Sequence, residues 1–184
     1  MRIQWRSILT LMLVPVLAGS SAYAASTHTS SRAPMTVSEE IPHQLRMLPR
    51  YGVFDWLECE IRPDNTAVLR GQVTRPVVRS DAEGALHRID GITKIENQIE
   101  VLPLSTGDDQ LRITIYRSLF RYDSPMFRYA LQAAPSIHII VNSGRVTLKG
   151  IVDNAGDSQI ANSVANGTSG VLQVTNELEV AGKS

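Results

Sequence analysis

The chain has 184 residues, 43% of them hydrophobic and 20% charged, with 12 glycines and 9 prolines. That is an ordinary globular composition and excludes collagen-like, coiled-coil and wholly disordered chains. The formal charge is zero, and setting aside Arg2 and Arg6 with the first 24 residues leaves 16 basic against 18 acidic side chains, without the basic excess of a nucleic-acid binder.

At the N-terminus, Arg2 and Arg6 precede a short apolar run from Ser7 to Ala18, and small residues lead on to Ala22-Tyr23-Ala24. Charged, apolar and A-x-A segments in that order read as a secretory signal over 1–24, cleaved after Ala24. The apolar run is interrupted by Pro15 and is far shorter than the roughly 20 residues of a spanning helix. No cysteine stands near the expected cleavage site, so a lipid-modified N-terminus is not expected. Residues 25–37, rich in Ser, Thr and Ala, read as a flexible leader. The 160 residues from Ala25 onward suffice for one domain or two small ones.

Ser38 can cap a helix through Leu48, with Ile41, Leu45 and Leu48 on one stripe. Leu57, Cys59 and Ile61 then alternate with Trp56, Glu58 and Glu60, the period of a half-buried strand. Arg62 to Thr66 makes a turn, and Leu69, Gly71 and Val73 return on the same face, completing a hairpin. Cys59, the only cysteine, cannot form an intramolecular disulfide and reads as a small buried hydrophobe. Thr74 stands where it can cap a second helix, which carries Val78, Ala82, Ala85, Leu86 and Ile89 and ends at Gly91. A last strand turns Ile95, Ile99 and Val101 inward.

The whole pattern then recurs at an offset of 79. Positions 66–101 align with 145–180 without a gap, and eight are identical: Leu69, Gly71, Val73, Ala82, Gly91, Asn97, Glu100 and Val101. In the second copy Asp108 or Asp109 opens a helix through about Tyr122. Ile137, Ile139 and Val141 precede the turn Asn142-Ser143-Gly144, and Val146, Leu148 and Val152 follow it. Asp153 stands at the cap, a helix carries Ile160, Ala161, Val164 and Ala165 as far as Gly170, and Val174, Leu178 and Val180 close the unit. Asn97 and Asn176 fall on the inward parity, where an amide is expected to satisfy backbone groups of a neighbouring loop rather than a ligand.

Each unit is therefore helix, strand, strand, helix, strand. The expected class is α+β: two tandem αββαβ domains, over 38–104 and 108–181. Each would be a three-stranded mixed sheet with a right-handed crossover and two helices on one face.

The strand pattern V-x-L-x-G-x-V and the closing G-V/I-x-x-V/I-x-N-x-I/L-x-V resemble the BON domain. The resemblance is carried by Leu69, Gly71, Val73, Gly91, Ile95, Asn97, Ile99 and Val101. In the second unit Val146, Leu148, Gly150, Val152, Gly170, Val171, Val174, Asn176, Leu178 and Val180 carry it. It implies an exported, periplasmic protein of the bacterial envelope, associated with phospholipid surfaces, envelope integrity or osmotic stress, with no reaction and no cofactor. The segment 123–135 departs from the pattern by lengthening the route from the second unit's first helix to its first strand.

The stretch from Leu111 to Tyr129 is the candidate binding surface. Leu111, Ile115, Leu119 and Tyr122 form one helical stripe, and Ile113, Tyr116 and Phe120 a second that the same sheet cannot also bury. Arginines beside aromatic rings suit an anionic headgroup boundary, so Arg117, Phe120, Arg121, Tyr122, Phe127 and Arg128 are the candidate lipid- or partner-binding residues. The competing expectation is that Phe127, Tyr129 and Leu131 fold back over Tyr116 and Phe120. Residues 36–104 hold 8 basic and 11 acidic side chains, against seven of each in 108–184, so an anionic surface would prefer the second unit. Phe54 and Trp56, outward on the first strand, suit a protein or glycan contact or packing against the neighbouring unit.

No catalytic constellation is expected. Glu58 and Glu60 share one strand face rather than facing each other across a cleft. His28, His43, His87 and His138 lack metal-ligand spacing, and no phosphate-binding loop is present. The expected function is non-catalytic binding to an anionic phospholipid surface or, alternatively, a protein-interaction role in the envelope. No nucleic acid, metal or small-molecule substrate is expected.

Overall fold

The computed structural model describes residues 36–132 and 134–182. The expected signal, and the leader as far as residue 35, lie outside the described residues.

The first helix, α1 (Val37–Arg46), begins two residues earlier than expected. Thr36 rather than Ser38 starts it, because Glu39 reaches back to accept the Thr36 N–H at 3.0 Å and its hydroxyl at 2.9 Å. Strands β1 (Trp56–Ile61) and β2 (Thr66–Val73) pair antiparallel, with Cys59 opposite Leu69. Helix α2 (Pro76–Leu86) crosses over, and the chain returns as β3 (Lys94–Asn97) and β4 (Glu100–Val101), both parallel to β2. These two pieces are one interrupted third strand, bridged where Gln98 N–H donates to Leu69 O at 2.8 Å. The second unit runs α3 (Thr106–Leu119), the short α4 (Phe127–Ala130), β5 (Ile137–Asn142), β6 (Arg145–Val152), α5 (Ala155–Asn166) and β7 (Gln173–Val180). Its sheet order is β5-β6-β7, with β5–β6 antiparallel and β6–β7 parallel. The fold is thus α+β, two tandem small domains with mixed sheets.

Each unit has its own core. Ile41 and Leu45 of α1 and Val78, Ala82 and Leu86 of α2 close over Leu57, Leu69 and Val73 in the first. In the second, Ile115 and Leu119 of α3 and Ala161 and Ala165 of α5 close over Ile139, Leu148 and Val152.

The repeated residues have concrete duties. Gly71 (φ 128°) and Gly150 (φ 117°) occupy equivalent points of their second strands, where a Cβ would lie 2.0 Å from Trp56 O and 2.1 Å from Ser136 O. Only glycine permits both that backbone angle and that approach. The amide of Asn97 donates to Arg79 O (3.2 Å) while its oxygen accepts from Ile99 N–H (3.2 Å). Asn176 repeats the arrangement with Ser158 O (3.2 Å) and Leu178 N–H (3.2 Å), tying each last strand to its crossover helix. The expected structural role of these amides holds, with helix rather than loop carbonyls as partners.

The caps differ from expectation by one residue. Arg75 and Asn154, not Thr74 and Asp153, are the N-caps of α2 and α5, and Asn154 accepts from Asp157 N–H at 3.0 Å. Thr74 is occupied elsewhere, as described below. Helix α3 starts at Thr106 on the Ser105 cap and stops at Leu119, three residues short of Tyr122. Its buried face is Asp108, Arg112, Ile115 and Leu119, so Tyr122 leaves the stripe assigned to it.

Candidate binding site at the seam between the two units

The seam is built by the five residues that lead into β1. Val53 O accepts from Ile139 N–H at 2.7 Å, so this segment pairs with the β5 edge that β6 leaves open. Buried Asp55 fixes the segment: its carboxylate accepts from Gly52 N–H (3.1 Å), Thr74 N–H (2.7 Å) and the Thr74 hydroxyl (2.9 Å). Held in this way, Val53 and Phe54 pack against the core of the second unit, Phe54 edge-on to Tyr116 at 6.1 Å.

Beside them, His138 of β5 sits between the rings of Tyr51 (5.3 Å) and Trp56 (5.0 Å), with Nδ1 3.2 Å from Gly52 O. Burial lowers its pKa against the opposing pull of the Gly52 carbonyl, which favours neutral imidazole. Lys149 Nζ lies 5.6 Å from the centre of the Trp56 ring, 3.3 Å from Glu58 and 2.8 Å from Glu177. The Trp56 indole donates to the same Glu58 carboxylate, chiefly by which its pKa is lowered. Glu58 and Trp56 therefore belong to the junction between units. Burial pushes the Cys59 thiol up to about 11, which keeps it protonated and unsuited to thiolate chemistry.

Helix α3 is anchored at its start by two buried charges. Asp108 accepts from Ser143 N–H and Gly144 N–H, each at 2.9 Å, and so holds the β5–β6 turn. Arg112, 3% exposed, donates to Asp109 and to Val141 O, both at 2.5 Å, while its Nε has no partner among the described residues. The inserted segment is anchored to the start of α5. Tyr129 donates to Asp157 at 2.7 Å and accepts from Asp153 N–H at 2.8 Å, and Arg128 pairs with Asp153 and Asp157.

These supports leave a cavity of about 440 Å³ between the 53–54 segment, the outer face of α3 and the insertion. Its lining is Val53 and Phe54, then Ile113, Tyr116, Arg117 and Phe120, then Tyr129, Ala130, Gln132, Pro135 and Ile137. Arg117 is the one charged residue among them.

The six residues expected from sequence separate into two groups. Arg117, Arg121 and Tyr122 are exposed, Tyr122 at 89%, and Tyr122 packs edge-on to half-buried Phe127 at 5.4 Å. Phe120 is only 9% exposed, edge-on to Tyr116 at 5.0 Å and built into the second core, and Arg128 is engaged with the aspartates. Arg121 holds Asp123 through two hydrogen bonds, of 3.0 and 2.6 Å. Folding back of the insertion is accomplished by Tyr129; Leu131 remains 72% exposed, and the ring that meets Tyr116 from outside is Phe54. Asp55, His138 and Arg112 carried no sequence motif. The available signal was a single carboxylate between Phe54 and Trp56, a charge where the flanking residues are bound for burial.

Two tandem αββαβ units joined along such a seam define a small tandem-domain α+β protein. The family model described as the BON domain matches residues 57–103 and 127–182, and the chain belongs to the BON domain family. Among solved structures, the chain is similar to the C-terminal domain of CdsD, the structural protein of the type III secretion system of Chlamydia trachomatis. Identity is 10% over 81% of this chain and 99% of that one, with a TM-score of 0.32. A second structure of CdsD from the same secretion system is similar at 11% identity over 80% and 94% of the two chains, with a TM-score of 0.29. No curated protein matches the chain. No helix among the described residues is long and apolar enough to cross a membrane.

Proposed function

We propose that this is an exported periplasmic protein, with 1–24 as signal, 25–35 as leader and two BON units over 36–104 and 105–181, that docks non-catalytically on anionic phospholipid surfaces. The observation that carries the reading is the Tyr122–Phe127 ring pair just past the end of α3, on a stretch of chain that also exposes Arg117 and Arg121. Aromatic rings with adjacent guanidinium groups match a headgroup boundary, where the ring lies shallowly and the charge meets phosphate. The exposed Arg121–Asp123 pair contributes little to stability and can exchange its carboxylate for a phosphate. Phe120, built into the second core, and Arg128, paired with Asp153 and Asp157, are the two expected residues that do not present a free group to this surface.

The test is co-sedimentation of the purified protein with phosphatidylcholine vesicles, with and without phosphatidylglycerol, at low and moderate salt. Binding confined to the anionic vesicles, weakened by salt and by Arg117→Glu or Tyr122→Ser, is expected. Equal binding to neutral vesicles, or none to either, refutes the reading and turns the same surface toward a protein partner.

A further inference from the structure

The 440 Å³ cavity is separate from the exposed ring pair, and its chemistry is of another kind. We infer that it binds a medium-chain fatty acid, the acyl chain in the cavity and the carboxylate on Arg117 at its rim. The volume lies within the roughly 300–1,000 Å³ of small-molecule sites. The walls are the apolar side chains of Val53, Phe54, Ile113, Ala130, Pro135 and Ile137, closed by the Tyr116, Phe120 and Tyr129 rings. Besides Arg117, the polar side-chain groups on the lining are Gln132 and two tyrosine hydroxyls, and that of Tyr129 is already occupied by Asp157. A peptide would bring an N–H and a carbonyl with every residue and leave most of them unpaired here. An acyl chain brings none.

Charge supplies the second argument. Arg112, Arg121 and Arg128 each hold a carboxylate, whereas Arg117 holds none among the described residues, and no acidic residue lines the cavity. An occupant with an apolar body and one anionic end satisfies both the walls and the rim. Because Val53 and Phe54 come from the first unit and the remaining walls from the second, the bound chain would also tie the units together. The assignment shares Arg117 with the membrane reading but does not rest on it.

The experiment titrates dodecanoate, below its micelle concentration, into the purified protein by calorimetry, with dodecanol as the uncharged control. Saturable binding at one site is expected. Arg117→Gln weakens dodecanoate about twofold to fivefold, as for a partly exposed ion pair, and leaves dodecanol unchanged. Ala130→Phe fills the cavity and Ile113→Trp, at a partly exposed position, crosses its mouth; each lowers affinity more than about tenfold while circular dichroism reports a folded chain. Absence of binding, or binding that survives both obstructing variants, overturns the assignment. Equal loss of dodecanol and dodecanoate in Arg117→Gln overturns the role of the rim. Anionic vesicle binding by Ala130→Phe separates the two readings: if it persists while dodecanoate fails to bind wild type, only the cavity assignment falls. Dodecanoate binding without vesicle binding removes only membrane docking.

Discussion

Asp55→Ala tests the seam at its most concentrated point. The carboxylate accepts three hydrogen bonds, two from backbone amides and one from the Thr74 hydroxyl. The hydroxyl can turn to water, because Thr74 is only half-buried, but the amides of Gly52 and Thr74 lose a fixed acceptor. An unpaired buried donor costs about 1–3 kcal/mol, so two partly buried ones cost about 3 kcal/mol together. At about 2–4 °C per kcal/mol for a chain of this size, the thermal midpoint falls about 6–12 °C. Asp55→Asn keeps one oxygen, which can serve both Thr74 donors, and loses only the acceptor for Gly52; about 1–2 kcal/mol is expected. Urea unfolding followed by circular dichroism gives both values. Dodecanoate affinity must fall as well in Asp55→Ala, since Val53 and Phe54 are no longer held against α3. An unfolding free energy within about 0.5 kcal/mol of wild type, the ordinary range of surface changes, refutes the reasoning. A full loss of stability with unchanged dodecanoate affinity refutes the claim that this segment builds the cavity wall.

Gly150→Ala forces a methyl group to within 2.1 Å of the Ser136 carbonyl at φ 117°, and a loss of about 3 kcal/mol or more by urea unfolding is expected. Gly84→Ala, mid-helix in α2 with nothing within 4 Å of the added carbon, is expected to gain about 0.5–1 kcal/mol; a loss there contradicts the local account. His138 has a lowered folded-state pKa, so its contribution is present above about pH 6.5 and is lost as pH falls through the folded value. Urea midpoints that decline below pH 6.5 in wild type but not in His138→Phe confirm this, and a flat wild-type profile down to pH 5 refutes it. Arg112→Met leaves Val141 O without its donor but also removes a buried unpaired Nε, so a net loss of about 1–2 kcal/mol in thermal unfolding is expected. A gain in stability would assign the larger effect to the orphaned nitrogen.

Much of the architecture was readable from the repeat. Alternating apolar residues fixed the hairpin faces, because a one-residue slip would have turned Leu69 and Leu148 to solvent. The shared Asn and Gly positions marked helix-to-strand ties and close approaches that both copies need. Helix ends were less legible. Thr74 and Asp153 had the right chemistry to cap, but Thr74 was claimed by Asp55, which lies 19 residues away and has no counterpart in the other copy. The site was legible only as composition. The pattern Arg117, Phe120, Arg121 and Tyr122 identified an unusual helix, but where α3 stops decides which of these rings faces water. Phe120 is the last of them to be drawn into the core, and Tyr122, two residues on, is outside it. The cavity was invisible because its walls come from segments far apart in sequence, and no local periodicity encodes their meeting.

The repeated residues and the site residues are almost disjoint sets. Gly71 with Gly150, Gly91 with Gly170 and Asn97 with Asn176 build the same scaffold twice, whereas Val53, Phe54, Arg117, Ala130 and Gln132 lie outside the aligned stretch. Two additions, the lead into β1 in one copy and the 123–135 insertion in the other, converge on a single seam. The two units are therefore unequal in their dependence on each other. The first core draws on residues of its own unit, but the second takes Val53 and Phe54 from its neighbour. A chain beginning at Ser105 would lose both of these half-buried side chains, about 2 kcal/mol at half the usual value of a fully buried one. It would also leave the β5 edge and the Tyr116 ring uncovered. Such a fragment is expected to unfold at lower urea than the whole protein and to recover when the first unit is added in excess, since binding to the native state alone stabilises it. Equal stability of the fragment and the whole would mean that the units touch along the seam without supporting each other.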